Sequence, residues 1–261
     1  MDTSSKLAVE GYLKSIADHT EAKPSFNIIV SNNTSSIRTT FSPPLAFPKG
    51  CNYEMAVCSL ETYYSFPNID ASNNSFKVSL DKGVTWKPLI QIPIGCYEIE
   101  AINKEVKRLI VKAGGKKDDV TIAPNVNTLQ CLVILKDKIV IDFNVDNSLR
   151  SVLGFNAQQL RGAGRFESEN VVNIMKVNSI MVHCDIIGAS RLNGEERPII
   201  YSFFPNVGPG EKIITRPKNL IYLPITLGII SHMTCWLTDQ DGNLLNLRGE
   251  EITITFHIKS C

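Results

Sequence analysis

The chain is poor in the residues and spacings that carry catalysis or metal binding. Its four histidines, at positions 19, 183, 232 and 257, are scattered, and none belongs to the His-Glu-x-x-His pattern of zinc proteases. Its seven cysteines contain no Cys-x-x-Cys pair, which leaves zinc ribbons and thioredoxin-like redox sites without support. No run of about 18 apolar residues appears, so we predict no membrane-spanning helix.

Phosphate-binding loops and serine nucleophiles are missing as well. The segments GGKK at 114–117 and GPGEK at 208–212 lack the glycine spacing and the Lys-Ser/Thr ending of a phosphate-binding loop, and no Gly-x-Ser-x-Gly occurs. His183 stands beside Cys184, but neighbours in a strand point to opposite faces of a sheet, so these two do not serve one site. We therefore predict a protein that is not an enzyme, with no catalytic residue, no metal ligand and no cofactor.

The charge of the chain is balanced. Among 261 residues, 27 Lys plus Arg stand against 26 Asp plus Glu, which gives a formal net charge of +1. Such a balance exerts no general attraction on nucleic acid, and we predict no specific nucleic acid partner. The N-terminus lacks the basic region and apolar core of a signal peptide, so we expect no secretory signal and reduced cysteines.

What the sequence has in abundance is short strands. About a dozen segments rich in β-branched and aromatic residues are separated by Asn, Ser, Pro and Gly clusters. Phe76, Val78 and Leu80, for example, alternate with polar residues and face one side of a predicted strand. Close spacing with few helices between them favours an all-β fold: an antiparallel β-sandwich or jelly roll with one or two short helices inserted.

One segment has helical spacing instead. In YEIEAINKEVKRLIVKAGG, apolar residues recur every three or four positions, the acids come early, the bases come late, and Gly114-Gly115 ends the pattern. We predict a helix packed on a sheet. Its basic end, from Lys107 to Lys117, is predicted to be a solvated face, with contact to phosphate as the alternative.

We divide the chain into three parts. Residues 1–24 are predicted to be an N-terminal helical arm, because apolar residues lie at near-helical spacing before Pro24. The possible arm interface consists of Leu7, Val9, Tyr12, Leu13 and Ile16. The arm packs either on its own domain or on a neighbouring subunit or inner shell surface. Residues 25–165 are predicted to be a β-rich lobe with a helical insertion, and residues 166–261 a β-rich jelly-roll lobe; the alternative is one jelly roll, 25–261, with an insertion.

The acidic residues near the C-terminus were tested as a metal site. Asp239, Asp241, Asn243 and Glu250 match four positions of a calcium-binding loop, but Leu244 occupies the sixth position, where that loop needs glycine. Asp241-Gly242 between apolar strands is instead typical of a two-residue hairpin turn, with Gly242 supplying a positive φ. We therefore predict a turn here and not a metal site.

Seven segments, in this order, resemble a known family. They cover most of Tyr53 to Lys259 and read YEMAVCSLETYYSFPNI, WKPLIQIPIGCYEIEAIN, IDFNVDNSLRSVLGF, VNSIMVHCDIIGAS, YSFFPNVGPGEKI, PKNLIYLPI and LTDQDGNLLNLRGEEITITFHIK. The family is that of the minor capsid, or penton, proteins of Polinton (Maverick) elements and adintoviruses. Residues 1–24 carry no motif that matches it.

The resemblance implies a structural protein of the virion capsid. Such a jelly-roll protein assembles as a homopentamer at an icosahedral vertex beside a separate major capsid protein, its second partner, and is made in the host cell. Two other functions stay open: a receptor- or carbohydrate-binding β-sandwich module, and an enzyme on a cupin-like barrel, which needs converging histidines and carboxylates for a metal.

The resemblance also implies a possible processing loop. Related elements carry an adenovirus-type cysteine protease similar to enzymes that cut after Leu/Ile/Met-x-Gly-x and before Gly. Leu160, Gly162, Ala163 and Gly164 fit this pattern within QQLRGAGRFESEN, a polar segment that we predict to be an exposed loop. Cleavage after Ala163 is the hypothesis that the resemblance implies; the alternative is that a short glycine-rich loop matches the pattern by chance.

Overall fold

A computed structural model describes residues 24–48, 50–188 and 190–261. The prediction of an antiparallel all-β fold with one or two inserted helices is confirmed, and the described residues contain two helices. The predicted arm, with Leu7, Val9, Tyr12, Leu13 and Ile16, lies outside the described residues, and its interface stays a prediction.

The described residues form eighteen strands and two helices. In chain order they are β1 Ser25–Asn32, β2 Ser36–Ala46, β3 Tyr53–Tyr63, β4 Ser75–Ser79, β5 Ile90–Gln91, α1 Ile99–Lys112, β6 Val120–Asn125, β7 Gln130–Leu135, β8 Val140–Asp142, α2 Arg150–Leu153, β9 Gln159–Arg161, β10 Gly164–Val171, β11 Ile180–Cys184, β12 Arg191–Leu192, β13 Glu195–Glu196, β14 Ile199–Phe203, β15 Lys212–Thr215, β16 Leu223–Pro224, β17 Ile229–Thr238 and β18 Ile252–Ser260.

The first large sheet joins both ends of the described chain. Its strand order is β1-β18-β3-β15, with β16 also paired to β3. Strand β18 alternates strictly: Ile252, Ile254, Phe256 and Ile258 are fully buried, while the residues between them are half-buried on the outer face. This is the pattern of a sheet with one face on a core and one face toward solvent.

The second large sheet packs against the first. Its strand order is β14-β11-β17-β2, and all pairs are antiparallel. The inner faces of the two sheets share one apolar core, which includes Leu60, Val182, Met233 and Phe256. Two antiparallel sheets that enclose one core form the sandwich of a jelly roll.

A second core lies between these strands in sequence. It contains buried residues from Ile69 to Leu160. These residues come from helix α1 and from two further sheets, with strand orders β10-β7-β6 and β5-β4-β8-β9. Helix α1 buries Ile99, Ile102, Val106 and Ile110, the apolar stripe that its spacing predicts. Past its end, Gly114 has a φ of +95°, a conformation that ordinary side chains rarely adopt.

The chain passes from the jelly-roll core to the second core and back through two neighbouring segments. The Asn68 side-chain amide donates hydrogen bonds to the carbonyls of Tyr97 (2.7 Å) and Ile174 (2.8 Å). Beside it, the Lys176 ammonium forms an ion pair with the Asp70 carboxylate. These contacts hold together the two chain segments that connect the jelly-roll core with the second core.

The predicted boundary between residues 165 and 166 does not separate the cores. Strands β1 to β3, from the first predicted lobe, share their sheets with β11, β14, β15, β17 and β18 from the second. The physical reason is that strand pairing is not local: β18 pairs with β1 and β3, about two hundred residues earlier in the chain. We propose the other organisation, one jelly roll interrupted by the second core as an insertion.

Candidate functional site

The acidic segment after β17 forms a turn that differs from the predicted two-residue hairpin. Backbone N–H groups of Asp241 and Asn243 both donate to Asp239 Oδ1 at 2.9 Å, and the Asn243 amide donates to Asp239 Oδ2 at 3.1 Å. The loop therefore has three residues between Asp239 and Asn243, with Gly242 at a φ of +84°. The chain then leaves for the other sheet, because β17 and β18 belong to different sheets.

The other groups of this segment have separate partners. Glu251 accepts a hydrogen bond from Ser31 Oγ at 2.6 Å. His257 lies on the outer face of β18, where its Nδ1 is 2.8 Å from the Tyr222 hydroxyl, and Lys259 places its ammonium 3.9 Å from the centre of the Tyr222 ring. Among the residues that the structure describes, no three His, Cys, Asp or Glu side chains come together in a way that could hold a metal ion.

His183 and Cys184 lie in different surroundings. His183 stacks on Trp236, with 5.0 Å between ring centres, and its Nε2 is 2.9 Å from Thr238 Oγ1. Burial, and then the nearby Arg197 charge, lower the pKa of His183, so this imidazole is neutral at pH 7. Cys184 is fully buried in the jelly-roll core, where it pairs across the strands with Cys235.

Of the seven cysteines, three are buried, two are partly buried and two are exposed. Cys131, Cys184 and Cys235 are buried, whereas Cys51 is exposed. Burial raises the pKa of Cys131 to about 12, and a hydrogen bond with Cys184 together with burial raises that of Cys235. Because the thiolate is the reactive form, these groups are poor nucleophiles in the folded protein.

Thiol alkylation checks this arrangement. Brief treatment of the native protein with iodoacetamide at pH 8 is expected to modify Cys51 and to leave Cys131 and Cys235 unmodified, with peptide mass mapping as the measurement. The same treatment in denaturant should modify all three. Rapid labelling of Cys131 in the native protein would show that the insertion core is open.

The predicted processing loop is a two-residue bend between strands β9 and β10. Strand β9 ends at Arg161 and pairs with β8, and β10 begins at Gly164 and pairs with β7. Only Gly162 and Ala163 connect β9 to β10. Leu160, the first residue of the protease pattern, is 2% exposed within the insertion core. Most of QQLRGAGRFESEN therefore forms strand and not loop, whereas Ala163, at the predicted cleavage position, is exposed. Cleavage after Ala163 stays a prediction, and it requires β9 to open first.

Exposed isoleucines mark two opposite edges of the first large sheet. Ile29, on edge strand β1, is 67% exposed, and Ile214, on edge strand β15, is 54% exposed. Ile221, just before β16 on the β15 side, is 71% exposed. Each edge strand carries an Ile-Ile pair, 28–29 in β1 and 213–214 in β15, in which the first member is buried.

These surface isoleucines were not predicted from the sequence. A usable signal was present, because the outward positions of a half-exposed antiparallel strand are normally polar. An Ile-Ile pair in such a strand must place one of its side chains outward.

Comparison with solved structures shows a similarity of fold. No family model and no curated protein sequence matches the chain. The crystal structure of the mavirus penton protein superposes with a TM-score of 0.51 at 12% sequence identity, covering 92% of this chain and 100% of that one. Two structures of the flagellar cap protein FliD from Escherichia coli, both 13% identical, cover 83% and 82% of this chain and 100% and 55% of theirs, but their TM-scores of 0.19 and 0.18 carry no argument.

The fold is therefore a penton-like, jelly-roll-like all-β fold. At 12% identity the similarity concerns the fold alone, and it does not single out Polinton elements among the bearers of this fold.

Proposed function

We propose that this chain is a structural capsid protein of the virion, of the Polinton and adintovirus penton type. It acts as a homopentamer at the icosahedral vertex and contacts a separate major capsid protein. Two things support the proposal: the penton-like fold, and the exposed isoleucines on opposite edges of one sheet. The second observation carries the argument for assembly.

Opposite edges suit a ring of identical subunits. A closed ring uses head-to-tail contacts, in which one surface of a subunit meets a different surface of the next. The β1 edge with Ile29 and the β15 edge with Ile214 and Ile221 are two such surfaces on opposite sides of the same sheet. Their contact would bury three apolar side chains and cover two strand edges that pair with no further strand of the described residues. Uncovered edges of this kind otherwise invite uncontrolled pairing.

The second large sheet offers a surface for the major capsid protein. Phe204, directly after β14, is 75% exposed, and Ile229, at the start of β17, is 69% exposed. They lie on a different sheet from the proposed ring contacts, so both kinds of contact are compatible in one particle.

The mass of the purified protein tests the assembly. Size-exclusion chromatography with light scattering is expected to show a species of about five times the 28.9 kDa chain mass, with fivefold rings in electron micrographs. A protein that stays monomeric at high concentration, alone and with its major capsid protein, would contradict the proposal.

Charged substitutions locate the contact. Ile29→Glu and Ile214→Glu each place a carboxylate in the proposed interface, and we expect each to weaken association by about tenfold or more. The matched control is Val84→Glu, since Val84 is 80% exposed but belongs to the insertion. Its oligomer should be unchanged. Equal loss of assembly in all three variants would remove the edge contact from the proposal.

A further inference from the structure

A cleft in the insertion has an unusual charge arrangement. It has a volume of about 600 Å³ and lies between the loop that follows α1 and the turn that joins β7 to β8. Leu80 and Ile139 supply its apolar part. Lys116, Lys117, Asp118 and Asp119 line it on the loop side, and Lys136, Asp137 and Lys138 line it on the turn side.

Hydrogen bonds hold the two walls in place. Asp119 Oδ2 accepts from the Lys116 backbone N–H at 2.6 Å, which closes the loop on itself. The Asp119 carbonyl accepts from the Lys136 N–H at 3.1 Å, which ties the loop to the turn. The Lys136 carbonyl in turn accepts from the Ile139 N–H at 3.0 Å. The cleft is therefore a built feature of the backbone and not a gap between mobile side chains.

The lysines that line the cleft form no ion pair with the aspartates that line it. Asp118 forms an ion pair with Lys107 at 3.6 Å, and Asp137 forms one with Lys82 at 3.3 Å. Neither Lys107 nor Lys82 lines the cleft. Within the described chain, none of the four lining lysines has an ion-pair partner or a side-chain hydrogen bond; they are Lys116, Lys117, Lys136 and Lys138. Four ammonium groups around one cleft attract an anionic ligand.

We propose that this cleft binds a sulfated polysaccharide, which would serve as an attachment site on a cell surface. Lysine ammonium groups are compact point charges that suit separate sulfate groups. The lining carboxylates suit the other part of such a ligand, because they accept hydrogen bonds from sugar hydroxyls. A lining that mixes lysine and aspartate therefore matches a chain that mixes sulfates and hydroxyls.

Nucleic acid fits the same lining less well. No aromatic side chain lines the cleft, so bases have no stacking platform. No arginine lines it, although arginine supplies the bidentate contacts common in phosphate recognition.

Heparin is the probe for the test, used with the full-length protein. We expect heparin to bind, as measured by calorimetry at 0.1 M salt, and the double variant Lys116→Gln, Lys136→Gln to weaken binding by about tenfold or more, since two sulfate contacts are lost. The matched control is Lys104→Gln, Lys218→Gln, which removes the same charge at exposed positions outside the cleft. We expect the control to stay within about twofold of the unmodified protein.

Two competitors separate the possible ligands. Desulfated heparin should not compete, and duplex DNA of equal total charge should bind more weakly and be insensitive to the cleft variant. The proposal is overturned if heparin does not bind, if the cleft and control variants lose equal affinity, or if DNA binds as tightly as heparin and loses affinity in the cleft variant. The last result would assign the cleft to nucleic acid. None of these outcomes depends on whether the protein forms pentamers.

Discussion

Replacing Phe256 by alanine is expected to lower the free energy of unfolding by about 3 to 5 kcal/mol, the range for truncating a buried phenylalanine. Phe256 has no exposed surface, and it lies on β18 in the interior of the first large sheet. Both neighbouring strands, β1 and β3, are held in register against it, so the cavity is not easily filled by local movement.

The adjacent residue provides the matched control. Thr255 lies on the same strand, but it faces the outer side and is half-buried, so Thr255→Ala is expected to cost less than about 1 kcal/mol. Urea unfolding followed by Trp236 fluorescence measures both variants, because Trp236 belongs to the jelly roll. Equal losses in the two variants would mean that Phe256 does not lie in a closely packed core.

The strand pattern itself was readable from the sequence. In ITITFHIKS, the apolar residues occupy every second position, and the structure buries those positions on one face of β18. Helix α1 is a second case, because its buried residues repeat at helical spacing and glycine follows its end. Both patterns are local: a short segment contains all the residues that define them.

Strand pairing could not be read in the same way. Strand β18 matches β3 in pattern, but many other strands have the same alternation, and the sequence does not say which two become neighbours. The predicted boundary at residue 165 followed a polar, glycine-containing segment, yet this segment forms β9 and β10 within the insertion core. Polar character was a poor guide there because edge strands are also polar on their outer face.

The candidate site shows the same limit of local patterns. Asp241-Gly242 correctly marks a place where the chain needs a positive φ, which Gly242 supplies. The chain does turn back on itself here, with Thr238 bridged to Leu244, but the loop is longer than the predicted two residues because the Asp239 carboxylate binds two backbone N–H groups. The lysine cleft depends on two segments about twenty residues apart in sequence, brought together by the hydrogen bond from Lys136 to Asp119.

Gly154→Ala is expected to destabilise the insertion by about 2 to 5 kcal/mol, as the sum of a left-handed backbone cost and overpacking. Gly154 ends α2 with a φ of +81°, and a Cβ placed there would stand 2.2 Å from the Asn170 carbonyl oxygen. That oxygen belongs to the backbone of β10, so the steric clash is removed only if this strand moves. The neighbours Leu153 and Phe155 are buried in the insertion core and would move with it.

Gly162→Ala separates the two contributions. Gly162 also has a positive φ, +77°, but a Cβ there would have no atom within 4 Å. This variant is therefore expected to lose only the backbone cost, about 1 to 2 kcal/mol. Unfolding is followed by the fluorescence of Trp86, the tryptophan of the insertion, in a Trp236→Phe background. If Gly154→Ala lowers the free energy of unfolding no more than Gly162→Ala does, then β10 does not pack against the end of α2 as closely as the structure shows. The insertion core would then be less tightly packed at this place than the burial of Leu153 and Phe155 indicates.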